Sequence, residues 1–377
     1  MAINGQSFQK GSYELMISNM VKMSTGYIQI QDALYEDEPS MDNALLYTDS
    51  LKEYIAGFGN QINFTVPRLQ GFALAATSNS TRGVMVTGVD PGNEEKLNAF
   101  SKQLVQGQMI SNTDSSVMLA SGLADILKLK PGDTVVMIGQ GFQGTMAAGK
   151  FRVKGIMKLR LPEMNNNTIY MSLKAAQGFY AADNRLTALL IMPRDPDKTN
   201  ELAGALAKGL DKEWFRVVTW EYLLKDLLRL MEFDVAGNLV IIYILYVVIA
   251  FGIFGTVLTM MIERSKEFGM LISLGMKRGK LAVVCLLESV FISFIGAIAG
   301  AVASFPIVWY YHFHPIRLTG QMAEMIEQYG FEPIIPFSLD PSNFTTQAWI
   351  VFLIAFVIGL YPVFKVRKMS IIDASKR

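Results

Sequence analysis

The sequence predicts an α-helical membrane protein, with three visible transmembrane helices and a large α+β extracytoplasmic domain. Three observations carry that prediction: three long apolar runs in the second half, a lopsided distribution of Lys and Arg around them, and mixed strand and helix patterning before them. The composition agrees. The chain has 377 residues, formal net charge +1, 51% hydrophobic and only 18% charged residues, with a mean hydropathy of +0.29. A soluble domain carries about 25% charged residues, so a polar part and a very apolar part are being averaged. The near-neutral balance offers nucleic acid no electrostatic footprint. The single cysteine can form neither an internal disulfide nor a Cys-x-x-Cys metal knuckle.

The apolar runs are Gly237–Ile262, Leu281–Tyr311 and Gln347–Phe364, each at or above the roughly 18 residues that span a bilayer. The first has no charge, the second only Glu288, and the third carries Pro362 near its end. Such uniformly apolar stretches do not suit the one-sided surface helix of a soluble protein.

Orientation follows from the short connections. Residues 263–280 hold Arg264, Lys266, Lys277, Arg278 and Lys280, and the tail 365–377 holds Lys365, Arg367, Lys368, Lys376 and Arg377. Between them, 312–345 holds Arg317 against Glu324, Glu327, Glu332 and Asp340. The first two segments are expected in the cytoplasm and the third outside. Alternation then puts everything before residue 237 outside as well. Residues 1–10 contain no apolar export segment. A first membrane helix is therefore expected upstream, with residues 1–25 as its outer end and stalk.

The external part reads as α+β. Strands are expected at 26–31, 83–90, 151–157, 168–172, 187–192 and 214–219, with helices at 44–58 (capped by Asp49 or Ser50), 94–105, 173–181 and 197–210. The stretch 115–138 reads as strand, helix, a Pro131-Gly132-Asp133 turn and strand. Trp220–Asp234 places leucines at i, i+4 and i+7, an amphipathic helix leading into the first span. It packs on the domain or forms a stalk (221–236); the pattern does not choose. Asn63, Asn79, Asn166 and Asn343 sit in glycosylation sequons, which matter only in a eukaryotic source.

Several motifs are declined. Gly139-Gln140-Gly141-Phe142-Gln143-Gly144 matches GxGxxG, and Gly144 to Lys150 is one residue short of a P-loop. Both need glycines that open a helix whose N-terminus receives phosphate, and the strand pattern FRVKGI follows instead. His312 and His314 lack convergent ligands for a metal. No Ser/His/Asp set and no carboxylate pair stands out. No catalytic residue is assigned, and the chain is not expected to be an enzyme.

Within the membrane part, Gly296 and Gly300 make a small face on which another helix could pack closely. Glu288 is a carboxylate inside a span, costly unless paired or hydrated, and therefore a candidate functional residue. The connection ERSKEFGMLISLGMKRGK (263–280) is charged at both ends and apolar in the middle, with Gly275 as a helix stop. An amphipathic helix there suits either a partner's groove or the lipid headgroups.

That connection resembles the signature of FtsX-like (MacB-type) ABC transporter permeases. LLESVFISFIGAIAG and YPVFKVRKMSIIDASKR also match it, while GSYELMISNMVKMSTGYIQIQ, LADILKLKPGDTVVMI and NTIYMSLKAAQGF are similar to the lipoprotein-releasing branch. The family layout has one span, an external domain and three further spans, so the first is the one lacking. The resemblance implies a multi-pass protein of the bacterial inner membrane, a mechanotransmission permease that works with a cytoplasmic ABC ATPase dimer and a second permease copy or paralogue. ATP and magnesium belong to that partner and no cofactor to this chain. It implies a coupling helix using Glu263, Arg264, Glu267, Phe268, Leu271, Leu274 and Gly275. It also implies a periplasmic domain (26–220) in two subdomains, 26–90 with 166–220 and an inserted 91–165. The place of the family's carrier-recruiting hook falls at Gly139, Gly141, Phe142 and Gly144, a loop with no Pro/Arg-bearing hook. Lipoprotein release with a periplasmic carrier is the expected function. Export of antibiotics or peptides is the alternative within the class, and a membrane-anchored sensory or binding protein the alternative outside it.

Overall fold

The computed structural model describes residues 2–78, 80–323 and 333–368. Asn79, Glu324, Glu327, Glu332 and the tail from 369, with Lys376 and Arg377, lie outside the described residues. The chain divides into two compact units: Met16–Leu228 with Leu318–Pro333, and Met1–Leu15 with Arg229–Arg317 and Ile334–Arg377.

The first unit is built on one sheet. Its strands are β1 (Ile28–Asp32), β3 (Ile62–Ala76), β4 (Thr81–Val89), β5 (Leu104–Gly107), β6 (Val117–Ala120), β7 (Thr134–Gln140), β8 (Met146–Met157), β9 (Thr168–Ser172), β11 (Ala188–Pro193) and β12 (Phe215–Thr219). Two short strands, β2 (Leu45–Leu46) and β10 (Arg185–Leu186), pair beside it. The pairing β3–β4–β9–β6–β8–β7 returns to β3, so six strands close into a ring. Closure removes the exposed edges that invite aggregation. Alternation along the ring strands turns Ala73, Ala75, Val84, Val86, Val135 and Met137 into one buried cluster. The outward positions leave Phe72, Leu74, Met85 and Ile138 exposed.

Helices α4 (Ser121–Leu127) and α6 (Leu173–Phe179) pack on this cluster through Leu123, Leu127 and Ala176. Gly88 lets α6 approach β4: a Cβ there would stand 2.3 Å from the Ala176 Cβ. The first half of β3 continues as the antiparallel sheet β3–β11–β1–β12. It is covered by α2 (Asp49–Ala56) and α7 (Thr199–Lys208), with Ile28, Ile30, Leu51, Ile191 and Leu206 in the core. A third cluster is formed by Phe100, Met118, Met157 and Tyr170, and helix α3 (Pro91–Asn98) places Leu97 in another, with Val66 and Leu190.

Several expectations are corrected. Helix 44–58 begins only at Asp49, and its cap is Thr48, whose hydroxyl accepts from Leu51 N at 3.2 Å. Leu45–Leu46 is drawn off by pairing with β10. Helix 94–105 starts earlier, at Pro91, and stops at Asn98, because Ala99 turns left-handed and Leu104 joins β8. Strand β3 and the short helix α5 (Pro162–Asn167) are additional elements. The closed ring takes β3 and β4 from before residue 91, β6, β7 and β8 from 91–165, and β9 from after it.

The second unit contains most of α1 (Ala2–Met20), α9 (Lys225–Glu263), α10 (Ser265–Ser273), α11 (Arg278–Phe313) and α12 (Pro341–Lys368); α8 (Trp220–Leu223) precedes it. The three long helices α9, α11 and α12 are long and apolar enough to cross a membrane. The expected amphipathic stretch before the first span is continuous with it from Lys225. The start of α1 is seated on the approach to α12. Lys10 pairs with Asp340, Asn343 Nδ2 donates to Ser7 Oγ at 3.3 Å, and Ser338 N donates to Ser7 O at 2.8 Å. Strands β13 (Ile316–Arg317) and β14 (Ile334–Ile335) form a two-residue ladder near the end of α11.

Candidate coupling site

Helix α9 stops at Glu263, where Arg264 departs from helical dihedrals (φ −93, ψ 8) although its N still donates to Met260 O at 3.1 Å, and α10 restarts at Ser265. The apolar positions then divide by face. Phe268 is 5% exposed and Gly269 is buried, with Ile272 half-buried one turn on. They pack on Met261, Leu281, Ala282, Cys285 and Val366, contributed by α9, α11 and α12. On the other face Glu267, Met270, Leu271 and Leu274 are exposed, Leu274 at 85%. Their spacing, i, i+3, i+4 and i+7, is the anchor pattern of a helix laid into a groove.

A glycine ends the helix. Gly275 adopts φ +98, open to glycine and strained for other residues. Gly275 N donates to Ile272 O and Met276 N to Leu271 O, both at 3.0 Å, the paired bonds of a Schellman stop. The junction is braced once more. Arg264 Nη1 donates to Glu288 Oε1 at 2.7 Å, with the side chains 47% and 29% exposed. The carboxylate singled out in the second span therefore holds the start of α10 to α11. Of the seven expected coupling residues, Phe268 lies in the chain's own core. Glu263 and Arg264 stand at the kink, Gly275 caps, and Glu267, Leu271 and Leu274 face outwards. Met270, absent from the expectation, completes the face; its place at i+3 from Glu267 is the signal that points to it.

The other candidate residues divide similarly. Gly296 and Gly300 have no atom within 4 Å of a Cβ position. They line an apolar groove of about 480 Å³ with Tyr246, Ile253, Ser304 and Gln347. Any helix packed closely on them thus comes from outside the described residues. Tyr246 donates to Gln347 Oε1 at 2.7 Å beside that groove. His312 Nδ1 lies 2.7 Å from Phe337 O, and His314 stacks on Tyr310 with centroids 4.9 Å apart. Both finish a helix end.

The glycine loop is held in place. Phe142 N donates to Tyr180 O at 2.8 Å and Gln143 N donates to Asp42. The Arg185 guanidinium lies 4.0 Å over the Phe142 ring. Burial pushes the Tyr180 phenol well above its usual range. Gly139 and Gly141 fit against backbone, at 2.8 Å from Phe72 O and 2.5 Å from Tyr180 O for an added Cβ. Gly144 turns at φ +69. A single 3₁₀ turn, Phe142–Gly144, and then strand β8 follow, so these glycines open no α-helix for a phosphate. Phe142 is packed on the ring core, and the exposed apolar side chain of the segment is Met146, at 77%.

Residues 239–371 match the family described as FtsX-like permease C-terminal. The C-terminal part of the chain thus resembles FtsX-like permeases. Over 368 residues it is 22% identical to the lipoprotein-releasing system transmembrane protein LolC of Neisseria meningitidis serogroup B, covering 94% of this chain and 84% of that protein. It is 26% identical over 157 residues to an uncharacterised ABC transporter permease of Methanocaldococcus jannaschii, 41% of this chain and 39% of that one. Among solved structures, it is similar to the periplasmic region of MacB from Actinobacillus actinomycetemcomitans, with TM-score 0.37, 15% identity, and coverage of 55% of this chain and 95% of that one.

Proposed function

We propose that this chain is the permease subunit of a lipoprotein-releasing transporter of the bacterial inner membrane, driven by a separate cytoplasmic ATPase dimer. One observation carries the reading: α10 presents Glu267, Met270, Leu271 and Leu274 outwards while its other face is anchored in the core of the three long helices. A helix mounted that way takes up a push without swivelling. The similarity to a lipoprotein-releasing protein over 94% of the chain supports the choice of cargo.

In this reading a second permease copy or paralogue completes the transporter, and ATP and magnesium act in the ATPase. ATP-driven closure of the ATPases displaces α10 and, through the Arg264–Glu288 brace, α11. Continuous α9 carries the movement towards the external domain, whose rearrangement lifts the cargo to a periplasmic carrier. The test is co-purification with a cytoplasmic ABC ATPase of the same organism, followed by release of a triacylated lipoprotein from proteoliposomes on ATP addition. Leu274→Glu should abolish ATPase retention in the membrane fraction. Wild-type ATPase binding by a chain lacking 265–274 would falsify the docking role. ATP-driven efflux of a drug or peptide with no lipoprotein released would redirect the cargo.

A further inference from the structure

Strand β3 runs through apolar alternation, yet it carries Arg68 at 1% exposure against Glu94 at 0%. The pair is bidentate, Nε to Oε1 at 2.6 Å and Nη2 to Oε2 at 3.0 Å. Asn98 Nδ2 donates to the same carboxylate at 3.1 Å. A third donor is spent elsewhere: Arg68 Nη1 reaches Ser24 O at 2.9 Å. Ser24 lies in the single π-helical turn Val21–Thr25 that joins α1 to β1. That turn closes with Gly26 N donating to Val21 O at 2.7 Å, and Gln29 Nε2 donates back to Thr25 O at 2.7 Å. Just before it, Arg160 Nη1 donates to Asn19 Oδ1 at 3.3 Å.

Stability alone does not account for the pair. Two fully buried charges bear a large desolvation cost, and apolar side chains of similar volume commonly do as well or better. An apolar pair cannot hold a carbonyl. The guanidinium fork can grip Glu94 and Ser24 at once because its donors are fixed in one plane. A π-turn is a wide, locally irregular piece of helix, the place where a displaced helix would dissipate its movement.

We propose that Arg68, held by Glu94, is a positioning residue that locks the α1–β1 turn to β3, so that a displacement of α1 is passed to the sheet and not absorbed in the turn. The inference rests on the permease reading, with a test that separates the two. Full-length chain in complex with its ATPase would be compared as wild type, Arg68→Lys, and the double variant Arg68→Met with Glu94→Leu. Lysine keeps a charge beside Glu94 without the fork; the double variant removes both charges at similar volume.

Two readouts apply. In hydrogen exchange, amides of β3 and β4 should stay protected in both variants, while amides from 22 to 27 exchange about tenfold faster, as loss of a charge-assisted hydrogen bond implies. In proteoliposomes, ATP hydrolysis should persist while cargo released per ATP falls several-fold. A folded variant with turn amides as protected as wild type, or with wild-type release per ATP, overturns the proposal. If the double variant fails to fold, Arg68→Lys decides by the same two readouts. A wild-type complex that moves no cargo refutes the permease reading, and the exchange result then still decides the lock.

Discussion

Truncating the two sides of α10 separates its buried face from the exposed face proposed to dock. Phe268 is 5% exposed and enclosed by Met261, Leu281, Ala282, Cys285 and Val366. Phe→Ala in a core costs about 3–5 kcal/mol, counting transfer and the cavity left behind. Ile272 and Met276 beside it are only half-buried and can close part of that space, which argues for the lower end, about 3 kcal/mol. For a unit of this size that lowers the melting temperature by roughly 6–12 °C. Leu274, at 85% exposure, should cost no more than about 0.5 kcal/mol when cut to Ala. As an anchor of a docked helix its loss should cost about 2 kcal/mol of binding, close to 30-fold in affinity. The assay is paired: thermal unfolding of purified protein in detergent, and titration of the ATPase onto the same preparations. Phe268→Ala melting like wild type, with Leu274→Ala melting early, would refute the assignment of faces.

Further outcomes follow from single contacts. Arg264→Met and Glu288→Gln, combined in a double-mutant cycle of unfolding, should couple by about 0.5–1 kcal/mol because the pair is partly exposed; zero coupling would remove the brace. Gly275→Ala should cost about 1 kcal/mol through its φ of +98, with helix content unchanged by circular dichroism. Gly88→Ala should cost about 1–3 kcal/mol by overpacking Ala176, and a stability equal to wild type would show that α6 can retreat freely. The hydrogen bond from Lys10, with help from Ser342 N, holds the Asp340 carboxyl at about 2. A depressed carboxylate stabilises above its unfolded value, about 3.9, and loses that contribution as pH falls through the folded value. The melting difference between wild type and Asp340→Asn should therefore be constant from pH 7 to about 4 and shrink towards pH 2.

Long-period patterns in the sequence were enough for the membrane part. The runs at 237–262, 281–311 and 347–364 fall inside α9, α11 and α12, because hydrocarbon length is a one-dimensional requirement that a string of residues either meets or does not. The helix stop at Gly275 and the candidate status of Glu288 were equally local. Which side of α10 faces inwards was not. Phe268 and Leu274 are both large and apolar, and only packing against Leu281 and Val366, distant in sequence, tells core from surface.

The external domain divides along the same line. Strands such as Ala188–Pro193 and the Pro131-Gly132-Asp133 turn were readable from alternation and turn chemistry. The closed ring was not, because β7 meets β3 across some sixty residues of chain through backbone bonds that no side-chain pattern encodes. Arg68 marks the limit most plainly. As a sequence position it is one charge in a segment whose pattern assigned no strand; its partners, Glu94 and Ser24, lie on a helix and a turn. The sequence alone determined a three-span membrane protein with an α+β domain and an amphipathic connection. Tertiary packing decided which charges are buried and which apolar side chains stay exposed, since burial depends on what the rest of the chain brings alongside.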